Sequence, residues 1–347
     1  MNVSIDKVAS PKGEATLVTL VNASGASVTL SSLGACIASV NVPDRDGNFA
    51  DVALGYKNIA DYLYDGPCAG KVPGRYANRI ARGRFSIDGK EYTLAINNGP
   101  NALHGGPEGF QNQIWGTEVD GDTVRFKLHS PDGDEGYPGN LDVVATYTWS
   151  DDNVLTLNLH AVTDAKTIVN LTNHCYWNLD GENAGTALNH EMRLAASMYL
   201  PTDDSLIPTG EIAPVAGTPM DFTEMKVVGR DIKSDFPALV YGKGYDSCWV
   251  VDDWKKGVMK TVAELYSPVS GRLLEVASTQ PAAQVYTGNW LDGCPESKSG
   301  NAYHDYDGVA IECQGMPDAP NHDNFPCQEL APGEVYDETI KFMFKTK

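Results

Sequence analysis

No Cys-x-x-Cys pair, no apolar run of the ~18 residues needed to cross a bilayer, and no glycine-rich nucleotide fingerprint occurs in this sequence. The Gly-x-Gly at Gly242 and Gly244 leads to an aspartate, not to a helix start. The seven cysteines, from Cys36 to Cys327, are odd in number and widely scattered. That pattern argues against a disulfide framework or a structural zinc site and suits free thiols in a reducing compartment. Met1 to Gly13 is mixed and polar, without a basic stretch running into an apolar one, so the expected location is the cytoplasm. Positive charge is scarce: 26 Lys and Arg stand against 46 Asp and Glu, a net charge of -20. Such a surface repels phosphate backbones and anionic lipid, so neither nucleic acid nor membrane is an expected partner. A neutral small molecule fits better.

Apolar residues make up 42% and charged residues 21%, the composition of an ordinary globular chain able to bury a substantial core. The dominant periodicity is two. Leu155, Leu157 and Leu159 alternate with Thr156, Asn158 and His160; Val124, Phe126 and Leu128 with Arg125 and Lys127; Ile340, Phe342 and Phe344 with Lys341 and Met343. These read as half-buried strands. Turn residues recur at short intervals, as at Asp88-Gly89 and Asn98-Gly99-Pro100, and long amphipathic helical stretches are absent. The expected fold is all-β, a sandwich or barrel of many short strands. With no linker, low-complexity stretch or fixed-period repeat, residues 1–347 are expected to form one domain.

Four segments carry chemistry. In Val169–Leu179, strand alternation sets a mainly apolar face against Asn170, Thr172, His174, Tyr176 and Asn178, uncharged groups that suit a sugar. Taken alone, the segment favours a satisfied internal polar network. In Val309–Gln314, alternation places Glu312 beside Gln314, opposite Val309, Ile311 and Cys313. A carboxylate buried there would have a raised pKa, useful in a base, although a lone glutamate is more often a structural acid. Asn78, Arg79 and His104 lie in glycine-bearing loops that either contact a ligand or staple the chain. Asp246 stands where a loop enters a strand, placed either to grip vicinal hydroxyls or to cap its own turn.

Together these blocks resemble the aldose 1-epimerase (galactose mutarotase) family. The matching stretches are GRYANRIARGRF from Gly74, NNGPNALHGG from Asn97, VNLTNHCYWNLDG from Val169, GYD from Gly244 and GVAIECQGMPDAPN from Gly308, in the family's order. Cys175 and Trp177 replace the serine and phenylalanine of the commoner NHSYFNL form, both at core-facing positions. The resemblance implies a large antiparallel β-sandwich, the galactose mutarotase-like supersandwich, with the site in a groove on one sheet. It implies Glu312 as catalytic base, His174 as catalytic acid, and Asn78, Arg79, His104, Asp246 and, less securely, Gln284 as substrate contacts.

The reaction so implied is interconversion of aldose anomers by ring opening and reclosure, with no required cofactor and a small aldose as partner. A monomer or weak dimer is expected. The acidic residues leave room for a structural calcium, to which no ligands are assigned. A histidine near pKa ~6.5 is only partly protonated at neutral pH, so a nearby carboxylate or polar face is expected to keep His174 charged. Three alternatives stand beside this reading. A non-catalytic sugar-binding module would tolerate loss of the acid or base. A hexose-phosphate epimerase would use clustered Arg75, Arg79, Arg82 and Arg84. A metal enzyme would combine His104, His174 and a carboxylate.

Overall fold

The computed structural model describes all 347 residues. Each alternating segment is a strand: Thr123–Ser130, Val154–Thr163 and Tyr336–Thr346. In Val154–Thr163 the three leucines are fully buried while the residues between them are half-exposed. Asp88-Gly89 makes the hairpin between Arg84–Ile87 and Lys90–Thr93, both residues at positive φ (50° and 78°), the geometry that suits a two-residue β-turn.

Three antiparallel sheets build the body. One has nine strands, including all three of the alternating segments. A five-stranded sheet runs from Asn2–Ser10 to Phe49–Asp51. A six-stranded sheet is ordered Tyr176–Trp177, Val309–Gln314, Ala282–Tyr286, Asp246–Val250, Met198–Leu200, Ala213–Pro214. The nine-stranded sheet packs against the other two across a common core of 60 buried residues. Trp177 of the six-stranded sheet meets Phe342 and Phe344 of the nine-stranded one at centroid distances of 5.2 and 5.4 Å. Trp149 and Tyr147 of the nine-stranded sheet hydrogen-bond to carbonyls of Ala26 and Ala35 beside the five-stranded one. Helix is confined to one six-residue segment, Pro237–Gly242, and short 3-10 turns. No helix is long and apolar enough to cross a membrane.

One expectation needs correcting in detail. Val169–Leu179 is not a continuous strand; only Tyr176 and Trp177 pair in the sheet. The preceding residues run extended between the Tyr76–Ala77 loop and the end of the Val309–Gln314 strand, and their polar side chains hold neighbouring backbone. Asn170 donates to the Ala77 carbonyl (3.1 Å) and accepts from Gly315 N–H (2.8 Å); Thr172 donates to the Cys313 carbonyl (2.8 Å). Asn173 and Asn178 donate to the carbonyls of Gly70 and Asp307. The internal network that the residues alone favoured is present, and of the alternating polar row only His174 and Tyr176 reach the cavity described next.

Candidate active site

The six-stranded sheet has two unlike faces. Register places Ile311 beside Val285, and Cys313 beside Ala283, on the face turned to the core. The opposite face carries Glu312 directly across from Gln284, with Gln284 across from Cys248 and Tyr286 across from Asp246. Strand alternation therefore gathers acid, amide and phenol groups onto one surface. Loops close over it to form a cavity of about 720 Å³. That volume is ample for a hexose.

His174 enters from the extended segment, whose backbone is held by His174 N–H to the Lys71 carbonyl (2.9 Å) and Gly70 N–H to the His174 carbonyl (3.0 Å). Its Nε2 lies 3.4 Å from Glu312 Oε1, and both side chains are almost fully buried. His174 Nδ1 and Glu312 Oε2 have no partner in the chain. The two groups thus face each other with capacity to spare. Tyr176 and His104 flank the imidazole, with ring centroids 5.1 and 5.3 Å away.

Asn78 and His104 are both left-handed, at φ 63° and 52°. Each supports the other: His104 N–H donates to the Asn78 carbonyl (3.0 Å), and Asn78 N–H donates to His104 Nδ1 (3.1 Å). Because Nδ1 accepts, the neutral ring carries its proton on Nε2, ready to donate. Gly105 follows at φ 80°, where a Cβ would fall 2.0 Å from the Gly74 carbonyl oxygen. Only glycine permits that approach, which brings the His104 loop onto the Gly74–Ile80 loop. Arg79 donates from Nε to Asn98 (3.1 Å) and sets Nη2 3.6 Å from Asp246 Oδ2.

Asn78, Arg79, His104, His174, Asp246 and Glu312 all line the one cavity. Gln284 does not. Its amide donates to Asp246 Oδ1 at 2.6 Å, giving it a place behind Asp246 instead of on the wall. Sequence reasoning assigned no role to Tyr286, Trp290 or Asn98, which also line the cavity. Tyr286 was accessible by extending the alternation from Gln284; nothing local in the sequence marks Trp290, half-exposed and stacked on Tyr286.

The electrostatics correct the expectation of a charged His174. Burial pushes its pKa down from 6.5 to about 4, and the Lys71 charge acts in the same direction. Burial pushes Glu312 well above the usual carboxylate range, Asp246 adds to this, and Arg79 opposes it. Both shifts favour neutral forms, as expected where charge loses its water. Burial thus works against a resting Glu312–His174 ion pair. His104 is likewise held neutral, chiefly by burial.

The cationic cluster of a phosphate site is not assembled. Arg79 alone of the four arginines lines the cavity. Arg75 is buried elsewhere, donating to Ser130 and the Pro138 and Gly139 carbonyls, and Arg84 faces Glu91 at the surface. No group of three or more His, Cys, Asp or Glu side chains is arranged to hold a metal ion. The facial-triad alternative thus gains no support.

The chain as a whole matches known proteins. The aldose 1-epimerase family pattern matches residues 16–343. A galactose mutarotase from Rattus norvegicus is 44% identical over 317 residues, covering 91% of this chain and 90% of the relative. The aldose 1-epimerase of Escherichia coli is 38% identical over 331 residues, covering 94% of each. Among solved structures, a GalM/aldose epimerase homologue from C. elegans superposes with a TM-score of 0.85 at 32% identity, covering 99% of both chains. The family match over residues 16–343, with relatives 44% and 38% identical along more than nine-tenths of the chain, makes this protein a member of the aldose 1-epimerase family.

Proposed function

We propose that this protein interconverts the α and β anomers of free aldohexoses such as glucose and galactose, with Glu312 as base and His174 as acid. The observation that carries the assignment is the 3.4 Å approach of His174 Nε2 to Glu312 Oε1 at the wall of a sugar-sized cavity.

The proton balance follows from the pair. Ring opening begins with Glu312 ionised and His174 protonated. Glu312 takes the proton of the C1 hydroxyl, the C1–O5 bond breaks as C1=O1 forms, and His174 protonates O5. The pair is now neutral on both sides, the form that burial favours. After rotation about C1–C2, Glu312 returns a proton to O1 and His174 recovers one from O5. The two proton arrangements have equal net charge, so no exchange with solvent is needed within a turnover. A sugar whose O1–H points at Glu312, and whose O5 accepts from His174, favours the ionised arrangement that starts the next opening.

The opened chain must stay bound while C1 turns. Asp246, oriented by Gln284 and Arg79, accepts from vicinal hydroxyls, and His104 Nε2–H donates to another. No step in this scheme requires a cofactor.

Polarimetry of freshly dissolved α-glucose and α-galactose tests the proposal. The protein should speed the decay of optical rotation, and Glu312→Gln or His174→Asn should each slow it by about 10²- to 10⁴-fold. The double variant should cost little more than either single one, because the groups act as a unit. Rotation decay unchanged by the unmodified protein for every aldose tried would refute the assignment. Tight sugar binding without acceleration would establish the binding-module alternative.

A further inference from the structure

A second cavity, of about 440 Å³, shares no lining residue with the first. It lies behind the catalytic segments. Asn170 and Gly315 both border it, and Gln280 and Tyr336 hold Leu171 from within it: Leu171 N–H donates to the Tyr336 hydroxyl at 3.1 Å, and Gln280 Nε2 donates to the Leu171 carbonyl at 3.3 Å.

Its side chains are rich in acceptors that the chain does not satisfy. Gln280 is only 3% exposed; its Nε2 is used by Leu171 and Tyr336, while its Oε1 accepts no hydrogen bond. Gln328 Oε1 is buried without a partner. Glu338 accepts from the Thr279 hydroxyl but, like Glu334 and Asp337, forms no ion pair. Its burial also raises its pKa, opposed by the charge of Lys256. Lys256 is the single cation on the wall, against Glu329, Glu334, Asp337 and Glu338. The donors of the aromatic side chains are already spent, Trp254 Nε1 on the Thr279 carbonyl and the Tyr336 hydroxyl on Leu171.

A wall of unsatisfied acceptors, two aromatic side chains and four carboxylates, of which only Glu329 has an ion-pair partner (Lys166, 3.6 Å), matches a ligand that only donates. An ammonium group has three donors and no acceptor, and is attracted both to carboxylates and to aromatic faces. We propose that this cavity is a second binding site, for a small organic amine, with its ammonium between Glu338 and Gln280 Oε1 and its carbon body against Trp254 and Tyr336. The proposal is independent of the reaction assigned to the first cavity.

Titration with putrescine, followed by tryptophan fluorescence and calorimetry at low ionic strength, tests it. One molecule should bind per chain, with an affinity unaltered by saturating galactose. Glu338→Gln should weaken binding by about tenfold or more, as loss of a charge-assisted contact implies. Lys256→Glu, a surface change that leaves folding intact, should tighten binding. No saturable binding overturns the proposal. So does binding of equal strength in both variants, which would mean that putrescine responds only to the net charge of the whole surface. Competition by galactose would place the amine in the first cavity and overturn it equally.

Discussion

Glu312 and His174 are ordinary residues made unusual by the same cause, removal from water. Burial raises the carboxyl and lowers the imidazole, so each shift moves its group towards the neutral form. The consequence for stability differs in sign between the two. His174, lowered to about 4, contributes stability that is complete above ~6.5 and is lost as pH falls through about 4. Glu312, raised, contributes stability that is complete below the ordinary carboxylate value and is lost as pH rises through its folded value. Urea unfolding between pH 4.5 and 6.5 separates them. Relative to His174→Asn, the unmodified protein should gain up to about 1.4 kcal/mol per pH unit across that window, the worth of one proton. Parallel stability curves for the two proteins would show that His174 is not held neutral.

The extended segment leading to Tyr176 is a tether more than a strand. Asn170 binds the Ala77 carbonyl on one side and both polar groups of the Gly315 backbone on the other. It thus ties the loop of Asn78 and Arg79 to the end of the Glu312 strand. Asn170→Ala would leave those buried backbone groups unpaired, at about 1–3 kcal/mol each. We expect a clear loss of thermal stability and a rise in KM for galactose, since the loop bearing Arg79 is released. Asn170→Ala with unchanged melting and unchanged kinetics would show that Asn170 does not tether that loop. The alternation of Val309–Gln314 was legible in its residues and is present. The irregular course of residues 169–175 was not, because its hydrogen bonds go to loops distant in the chain, and period-two patterning does not register such partners.

At the scale of the molecule, a net charge of -20 on one body must repel itself. Raising salt from ~0.01 M to ~0.1 M shortens the screening length from ~30 to ~10 Å. The melting temperature should therefore rise by a few degrees over that range at neutral pH, and most of the gain should be complete by the upper concentration. A melting temperature that falls on adding salt would mean that ion pairs outweigh the repulsion. Arg79 is the one Lys or Arg side chain on the first cavity's wall, against Asp204, Asp246 and Glu312, so nothing there gathers the cations that a phosphate would need.

The residues alone determined the all-β character, because burial on one face of a strand demands alternation and turns demand glycine, asparagine and aspartate. The blocks that resemble the family also named Glu312 and His174 and most of their neighbours. Tertiary structure decided three things. It brought together, at 3.4 Å, an acid and an imidazole far apart in the chain. It moved Gln284 from the cavity wall to the support of Asp246, because strand register sets which side chains meet across a sheet. And it made His174 neutral where a charged ring was expected, since a pKa depends on how much water remains around a group, and only the folded chain determines that.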